Sequence, residues 1–397
     1  MKSLPASLLL TVSTLALVNC VDPPRVIDPP LGGEGEGEGE GEGEGEGEGE
    51  GEGEGEPGIP ACTTVSGTGA VTFTKDEGAT LATTTPLTGT VYTYGLVALG
   101  EGNLVAEHGG ALLRSRDHGC TWTTIGAAPT SPMRMVGGGG RAYGWADNYT
   151  DLVRVDDDDT ITVLTAPPVG VLKGMNVNPD GSVVVAMDAT LHTSTDFGAT
   201  FDRGTTPAFV GDEAGLVYRA FFGAKDSEHV MFGAASLGGR VTFDGGLTWT
   251  ASTGLSTTGQ QRANLFEGVF SPVDDNVVWA AGLDIEESLG ENQNRSKHIY
   301  RSNDGGRTFS VVLTESATMT IVNGPMMVAS PVDADVFYFV FGTYFQGYGT
   351  DLFRVVSDGT VTTTHNTNHD ISALVFAPDD TSTMYLGLVH EEITAAP

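Results

Sequence analysis

Ser115-Arg116-Asp117-His118-Gly119-Cys120-Thr121-Trp122 recurs three times downstream with the same skeleton. The copies are Ser194-Thr195-Asp196-Phe197-Gly198-Ala199-Thr200-Phe201, Thr242-Phe243-Asp244-Gly245-Gly246-Leu247-Thr248-Trp249 and Ser302-Asn303-Asp304-Gly305-Gly306-Arg307-Thr308-Phe309. One match carries little weight, but four in one chain establish a repeat. The residue types explain the pattern. An Asp carboxylate accepts hydrogen bonds from nearby backbone N–H groups and holds a tight turn. Gly supplies a positive φ. Thr and the aromatic residue open the next strand, with the aromatic packing inward. The motif holds a turn and is not a reactive centre.

Weaker copies fill the gaps. Thr74-Lys75-Asp76-Glu77-Gly78-Ala79-Thr80-Leu81 lacks only the aromatic. Asp156-Asp157-Asp158-Asp159-Thr160-Ile161 keeps the Asp and the Thr, and Arg354-Val355-Val356-Ser357-Asp358-Gly359-Thr360-Val361 is a further degenerate copy. Counted from Asp76, Asp117, Asp156, Asp196, Asp244, Asp304 and the aligned position 356, the intervals are 41, 39, 40, 48, 60 and 52 residues. Each interval fits one four-stranded sheet, the later ones with insertions. Ser271-Pro272-Val273-Asp274-Asp275, Ser330-Pro331-Val332-Asp333-Ala334 and Ala377-Pro378-Asp379-Asp380 each lie between two apolar runs. They read as turns between the first and second strands of a sheet.

These residues resemble the Asp-box, or BNR, repeat of β-propellers such as sialidases, sortilin-type receptors and photosystem II assembly factors. The resemblance implies an all-β chain forming a single propeller, with each box between the third and fourth strands of a blade. Residues 371–376 and 383–389 offer two strands at the C-terminal end, and residues 70–74 and 81–84 offer two at the N-terminal end. Together they complete one blade, so strands from both termini close the ring and remove its exposed edges. Six internal blades and this shared one make seven. A six- or eight-bladed ring needs only one miscounted copy.

Ahead of the propeller, taken as residues 62–397, the chain reads as two unfolded segments. Residues 1–19 read as a signal peptide, with Lys2 before an apolar stretch from Leu8 to Val18 too short to span a bilayer. Leu17-Val18-Asn19-Cys20 is similar to the lipobox of bacterial lipoproteins, in which the chain is cut before a Cys that then carries acyl chains. Asn19 departs from the small residue usual there, and an ordinary secretory signal with an incidental Cys is the alternative. Residues 20–61 then form a tether. Twelve Gly-Glu repeats at 33–56 cannot bury a core and repel along their length. The reading is an exported cell-envelope lipoprotein at the outer membrane or cell surface, touching the membrane only through the lipid on Cys20. In the exported chain Cys62 and Cys120 are then left to form a disulfide, which would fasten the tether to the ring where it closes.

The net charge is −33; twelve negative charges lie in the tether, which leaves −21 for the rest of the chain. Such a surface repels nucleic acid and anionic headgroups, so nucleic-acid binding is excluded. The search for chemistry returns little. Sialidases carry an Arg-Ile-Pro signature and an arginine clamp; no Arg-Ile-Pro occurs here, and Arg134 in Met133-Arg134-Met135 is no substitute. Glu286 and Glu287 lie in the longest insertion, but any pair among 52 acidic residues would look as suitable for glycoside hydrolysis. His365 and His369 are four apart in a loop, where that spacing does not align two metal ligands. Asp156 to Asp159 could take a surface calcium, although four consecutive Asp usually make a charged turn. No catalytic residue, resident metal or cofactor is assigned. Tyr344, Phe345 and Tyr348, with Glu286 and Glu287, fall between second and third strands, where the resemblance implies loops that project together on the face away from the boxes; the alternative is that Tyr344 and Phe345 continue a strand into the core. The expectation is a monomeric, non-catalytic binding or scaffold module that recognises a protein or glycan through this face. The alternative is a glycoside hydrolase or lyase acting on polysaccharide there.

The anchor and the disulfide are directly measurable. Cys20→Ser should move the protein from the membrane fraction to the soluble fraction. Peptide mapping without reduction should recover Cys62 joined to Cys120, and two alkylatable thiols would refute the bond.

Overall fold

A computed structural model describes residues 70–74, 93–226, 228–256, 262–290, 295–316, 319–341, 351–365 and 370–389. Cys20, Cys62, Asp76, Tyr344, Phe345 and Tyr348 lie outside the described residues, as does His369. The described residues fall in one unit, Pro57–Pro397, and are almost entirely strand and turn.

The first strand, β1 (Ala70–Thr74), does not pair with the next in sequence. Four consecutive strands follow as one antiparallel sheet: β2 (Thr93–Gly100), β3 (Asn103–His108), β4 (Ala111–Ser115) and β5 (Thr123–Ala127). A second is β6 (Arg134–Gly138), β7 (Arg141–Trp145), β8 (Asp151–Val155) and β9 (Ile161–Thr165). The third has three strands, β10 (Leu172–Val177), β11 (Val183–Met187) and β12 (Thr190–Ser194). Next come β13 (Val217–Phe222), β14 (Val230–Ala234), β15 (Gly238–Thr242) and β16 (Thr250–Ala251). The fifth sheet is β17 (Ala263–Phe270), β18 (Val278–Asp284), β19 (Lys297–Ser302) and β20 (Ser310–Thr314). The sixth is β21 (Met327–Ala329), β22 (Val336–Phe341), β23 (Asp351–Val356) and β24 (Val361–His365). The last runs in the order β1, β26 (Met384–Val389), β25 (Asp370–Phe376), with Ala70 opposite Leu388 and Thr74 opposite Met384. A 3₁₀ turn at Gly211–Leu216 and a short helix α1 (Ile285–Leu289) are the helical elements described.

The apolar runs explain the packing. All five residues of β11 and all five of β14 are buried, so both faces of these strands are covered. The cover comes from neighbouring sheets. Tyr143, Trp145 and Leu152 of the second sheet pack with Leu172, Met175 and Val183 of the third. Trp279 stacks on Phe337, ring centroids 4.5 Å apart, between the fifth and sixth. Leu96 and Leu104 pack with Ala373 and Tyr385 of the last. The first strand of each sheet touches that of the next: β2 to β6, β6 to β10, and so on to β21, β25 and back to β2.

The four full motifs have one geometry. Asp196 Oδ1 accepts from Thr200 N at 2.8 Å and Ser194 Oγ at 2.7 Å, and Oδ2 accepts from Thr200 Oγ1 at 2.6 Å. Gly198 N donates back to Ser194 Oγ at 2.8 Å, with Gly198 at φ +85°. Asp117, Asp244 and Asp304 repeat this with Thr121, Thr248 and Thr308. The degenerate copies differ. At 156–160 it is Asp158, not Asp156, that accepts from Thr160 N, at 3.0 Å. The Asp156 carboxylate instead receives Arg141 at 2.7 Å and Arg154 at 3.0 Å. An extra Asp on each side of the turn lets the role slip by two residues. Asp358 holds the corresponding Thr360 N at 2.8 Å.

No strand lies between Phe201 and β13, so the third sheet has no fourth strand beside β12. Residues 202–208 run beside it irregularly: Asp202 N donates to Thr193 O at 2.9 Å, Thr205 N to Leu191 O at 2.9 Å and Ala208 N to Ala189 O at 2.8 Å. Side chains complete the ladder, with Asp202 Oδ1 accepting from Thr193 N and Thr205 Oγ1 from Leu191 N.

The turn carboxylates give stability a pH dependence. Hydrogen bonds from the Thr side chain and then the Thr backbone hold Asp196 and Asp244 down at about 2, against roughly 3.9 in an unfolded chain. A lowered folded-state pKa contributes stability above the unfolded value, lost as pH falls through the folded one. Thermal melts should fall steeply between about pH 4 and 2 as these carboxylates protonate. Asp196→Asn with Asp244→Asn should lower the neutral melting point and flatten that acid slope.

Candidate functional site

At the heads of the inner strands, three sheets meet around one guanidinium. Arg219 Nη2 lies 2.6 Å from Asp147 Oδ2, and Nη1 is paired with Glu267 Oε2. The side chains are only 12–25% exposed. Backbone irregularity aims them. Register slips between Val217 and Arg219 in β13 and between Leu265 and Glu267 in β17, and such bulges redirect the following side chains. The intervening Tyr218 and Phe266 contact each other, ring centroids 5.3 Å apart. Asp147 reaches the group from the β7–β8 loop, which is tied to β10 by Asn148 N to Leu172 O at 3.0 Å and Leu172 N to Tyr149 O at 2.8 Å.

Two more cations join this end. Arg134 opens β6 opposite Trp145, with its guanidinium over the Trp145 ring at 5.9 Å and its Nε 4.0 Å from Asp147. Lys173 is buried and donates to Asn148 Oδ1 at 2.6 Å. Burial lowers its pKa, opposed by Asp147 and Asp188. Burial also disfavours the charged form of Arg219, but Glu267 and Asp147 more than offset it and its pKa is raised. The group borders a cavity of about 620 Å³ that runs along the inner strands of six sheets, from Arg134, Trp145, Arg219 and Glu267 to Pro272, Pro331 and Pro378.

The insertion carrying Glu286 and Glu287 forms α1. Asp284 Oδ1 caps it, accepting from Glu286 N at 3.0 Å and Glu287 N at 3.4 Å. Glu286 faces Arg262 at 3.2 Å, and Glu287 faces the buried His298 Nε2 at 2.9 Å. The structure thus gives each acid its own partner. The exposed apolar residues Tyr149 and Leu289 follow second strands, Tyr149 in the loop after β7 and Leu289 at the end of α1 after β18. The four-Asp turn is covered by arginines: Arg114 Nε lies 2.6 Å from Asp159, and Arg116 Nη1 lies 3.2 Å from Asp157. Among the described residues no group of three or more His, Cys, Asp or Glu is placed to hold a metal.

Arg219, Asp147, Glu267, Lys173 and Trp145 were not singled out by sequence reasoning. A usable signal existed in Val217-Tyr218-Arg219-Ala220-Phe221-Phe222, where one charge interrupts an apolar strand. The ion triad predicts strong non-additivity. Arg219→Met leaves two half-buried carboxylates facing each other and should destabilise by roughly 3 kcal/mol. Adding Asp147→Asn and Glu267→Gln should restore much of that loss in denaturant titrations. Simple addition of the three effects would refute the triad.

No protein-family model matches the chain. The dispase autolysis-inducing protein of Streptomyces mobaraensis is 43% identical over 344 residues, covering 84% of this chain and 90% of that protein. Among solved structures, a catalytically inactive virginiamycin B lyase from Staphylococcus aureus superposes with a TM-score of 0.54 at 13% identity, over 76% of this chain and 97% of its own. YCF48 bound to D1 peptide gives 0.52 at 12% identity, over 77% and 95%. Both are β-propellers, and the likeness shows that fold here.

Proposed function

The chain belongs to the family of the dispase autolysis-inducing protein, and from that premise we propose that it is a non-catalytic binding propeller whose partner is an exported protease. The relative's name states that it induces autolysis, so the chemistry belongs to the partner and the propeller supplies a surface. The observation that carries the non-catalytic part is the ion triad. Asp147 and Glu267 share Arg219, whereas glycoside hydrolysis needs one carboxyl group to donate a proton and the other to stay a base or nucleophile. The docking surface is the loop face carrying Tyr149, Leu289 and α1, with Tyr344, Phe345 and Tyr348 assigned to it from the sequence. Exposed aromatic and aliphatic side chains on loops over a rigid scaffold suit protein recognition.

The same reading includes a seven-bladed ring closed by strands from both termini. The seven sheets and the succession of inner-strand contacts support it. It also includes the Asp-box assignment of the repeated turns, the lipid on Cys20, the Gly-Glu tether and the Cys62–Cys120 bond.

The test adds the mature chain in substoichiometric amount to dispase and follows intact protease on gels. Faster loss of dispase is expected, with no cleavage of a catalytically dead dispase and no sugar release from polysaccharide. Tyr149→Ala with Leu289→Ala should slow the effect several-fold at unchanged melting temperature. Unaltered dispase lifetime, or hydrolysis by the chain itself, would overturn the reading.

A further inference from the structure

Lys173 and Asn148 meet where the β7–β8 loop of the second sheet crosses the start of β10 in the third. Backbone bonds on either side hold them there: Asn148 N donates to Leu172 O at 3.0 Å, and Leu172 N donates to Tyr149 O at 2.8 Å. Lys173 Nζ lies 2.6 Å from Asn148 Oδ1. A C=O bond is about 1.2 Å long, so Nζ is within about 3.8 Å of the amide carbon, at the edge of the near-attack range of roughly 3–3.5 Å. The two ends of the amide are not interchangeable. An ammonium offers only donors and a carboxylate only acceptors, and Asn148 Nδ2 donates to Asp147 Oδ1 at 3.2 Å. The carbonyl therefore faces the lysine, and the nitrogen that would leave faces an acid.

The surroundings favour a free amine. Lys173 is 6% exposed, and burial lowers its pKa; Asp147 and Asp188 oppose that, and Arg219 adds to it. A lysine desolvated in this way is a nucleophile. Asn148 is exposed, so a leaving group has a path to solvent. An ammonium has three donors to satisfy, and here it bonds a neutral amide oxygen. Condensation of the two side chains removes that buried charge, which is unfavourable to hold without an ionic partner in contact.

We propose that Lys173 and Asn148 join in an intramolecular isopeptide bond. Lys173 Nζ attacks Asn148 Cγ, and the Cγ–Nδ2 bond breaks. The proton given up by Nζ passes to Nδ2, with the Asp147 carboxylate as its relay, and Nδ2 leaves as ammonia. One amine and one primary amide become one secondary amide and one ammonia, so no oxidant or cofactor is consumed. The bond ties the second sheet to the third and fixes the loop that presents Tyr149. It does not depend on the protease reading, since a chain inert towards dispase can still carry it.

Tryptic mapping of the reduced mature chain tests the bond. Ala142–Arg154 is expected to appear joined to Val155–Arg203 through an uncut Lys173, about 17 Da lighter than the two peptides together. Fragmentation of that species should place the junction at Asn148 and Lys173, a reading that requires no variant to fold. Asn148→Ala and Lys173→Met should each release Ala142–Arg154 as a linear peptide. Wild-type chain that yields linear Ala142–Arg154 and is cut after Lys173 would overturn the proposal. So would an ammonia deficit confined to a single linear peptide, as a succinimide produces, or one that persists in Asn148→Ala.

Discussion

The pairing of β1 with β26 joins the two ends of the propeller, and the other sheets depend on it. A sheet apolar on both faces is stable only between two covered neighbours. The first full sheet contributes Leu96, Leu104 and Ala106 to a core whose other side is Ala373, Ala377 and Tyr385. Without β1 beside it, β26 would be an open edge at the seam where the sheets from the two ends of the chain meet. Five residue pairs, from Ala70–Leu388 to Thr74–Met384, supply that partner. The contact is long-range, so forming it carries a loop-closure cost that the pairings within the other sheets do not.

Features specified locally were legible in the sequence, and features specified by contacts between sheets were not. Ser194, Asp196, Gly198 and Thr200 bond to one another within seven residues, so the turn is written in consecutive letters. The Ser-Pro turns are equally local: Ser271 Oγ receives Val273 N and Asp274 N between β17 and β18. Asp156 marks the limit of this kind of reading, since four adjacent acids hide which one holds the turn. The ion triad was out of reach for another reason. Asp147, Arg219 and Glu267 come from three different sheets; Arg219 interrupts an apolar strand, but nothing in the sequence joins it to Asp147 and Glu267, which look like ordinary polar positions. Only the bulges at Tyr218 and Phe266, which no residue pattern announced, turn two of them to a common point. The missing fourth strand after Phe201 was also unread, because its motif is as complete as the others.

Positive charge is scarce in this chain, with 19 basic residues against 52 acidic ones, and much of it is spent between sheets. Arg114 and Arg116 cross from the first sheet to the Asp157 and Asp159 turn of the second. Arg301 pairs with Asp335 of the next sheet while lying over Trp279. Arg141 lies over Phe197 at 4.1 Å, and Arg307 over Phe243 at 3.6 Å. Planar guanidinium groups suit this work because they bond acids at their edge and stack on rings with their face. These arginines are therefore committed at contacts between sheets rather than spread over the acidic surface.

The irregular run beside β12 has a consequence for the protein in concentrated surroundings. An open outer strand offers alternating N–H and C=O groups to any extended chain, including another copy of the same protein. Here the positions along β12 are already occupied by residues 202–208, some through backbone groups and some through the Asp202 and Thr205 side chains. A side-chain acceptor cannot be extended into a further ladder as a backbone strand can. The third sheet therefore ends in a cap that terminates hydrogen bonding, and many copies crowded together would not stack into fibres through this edge.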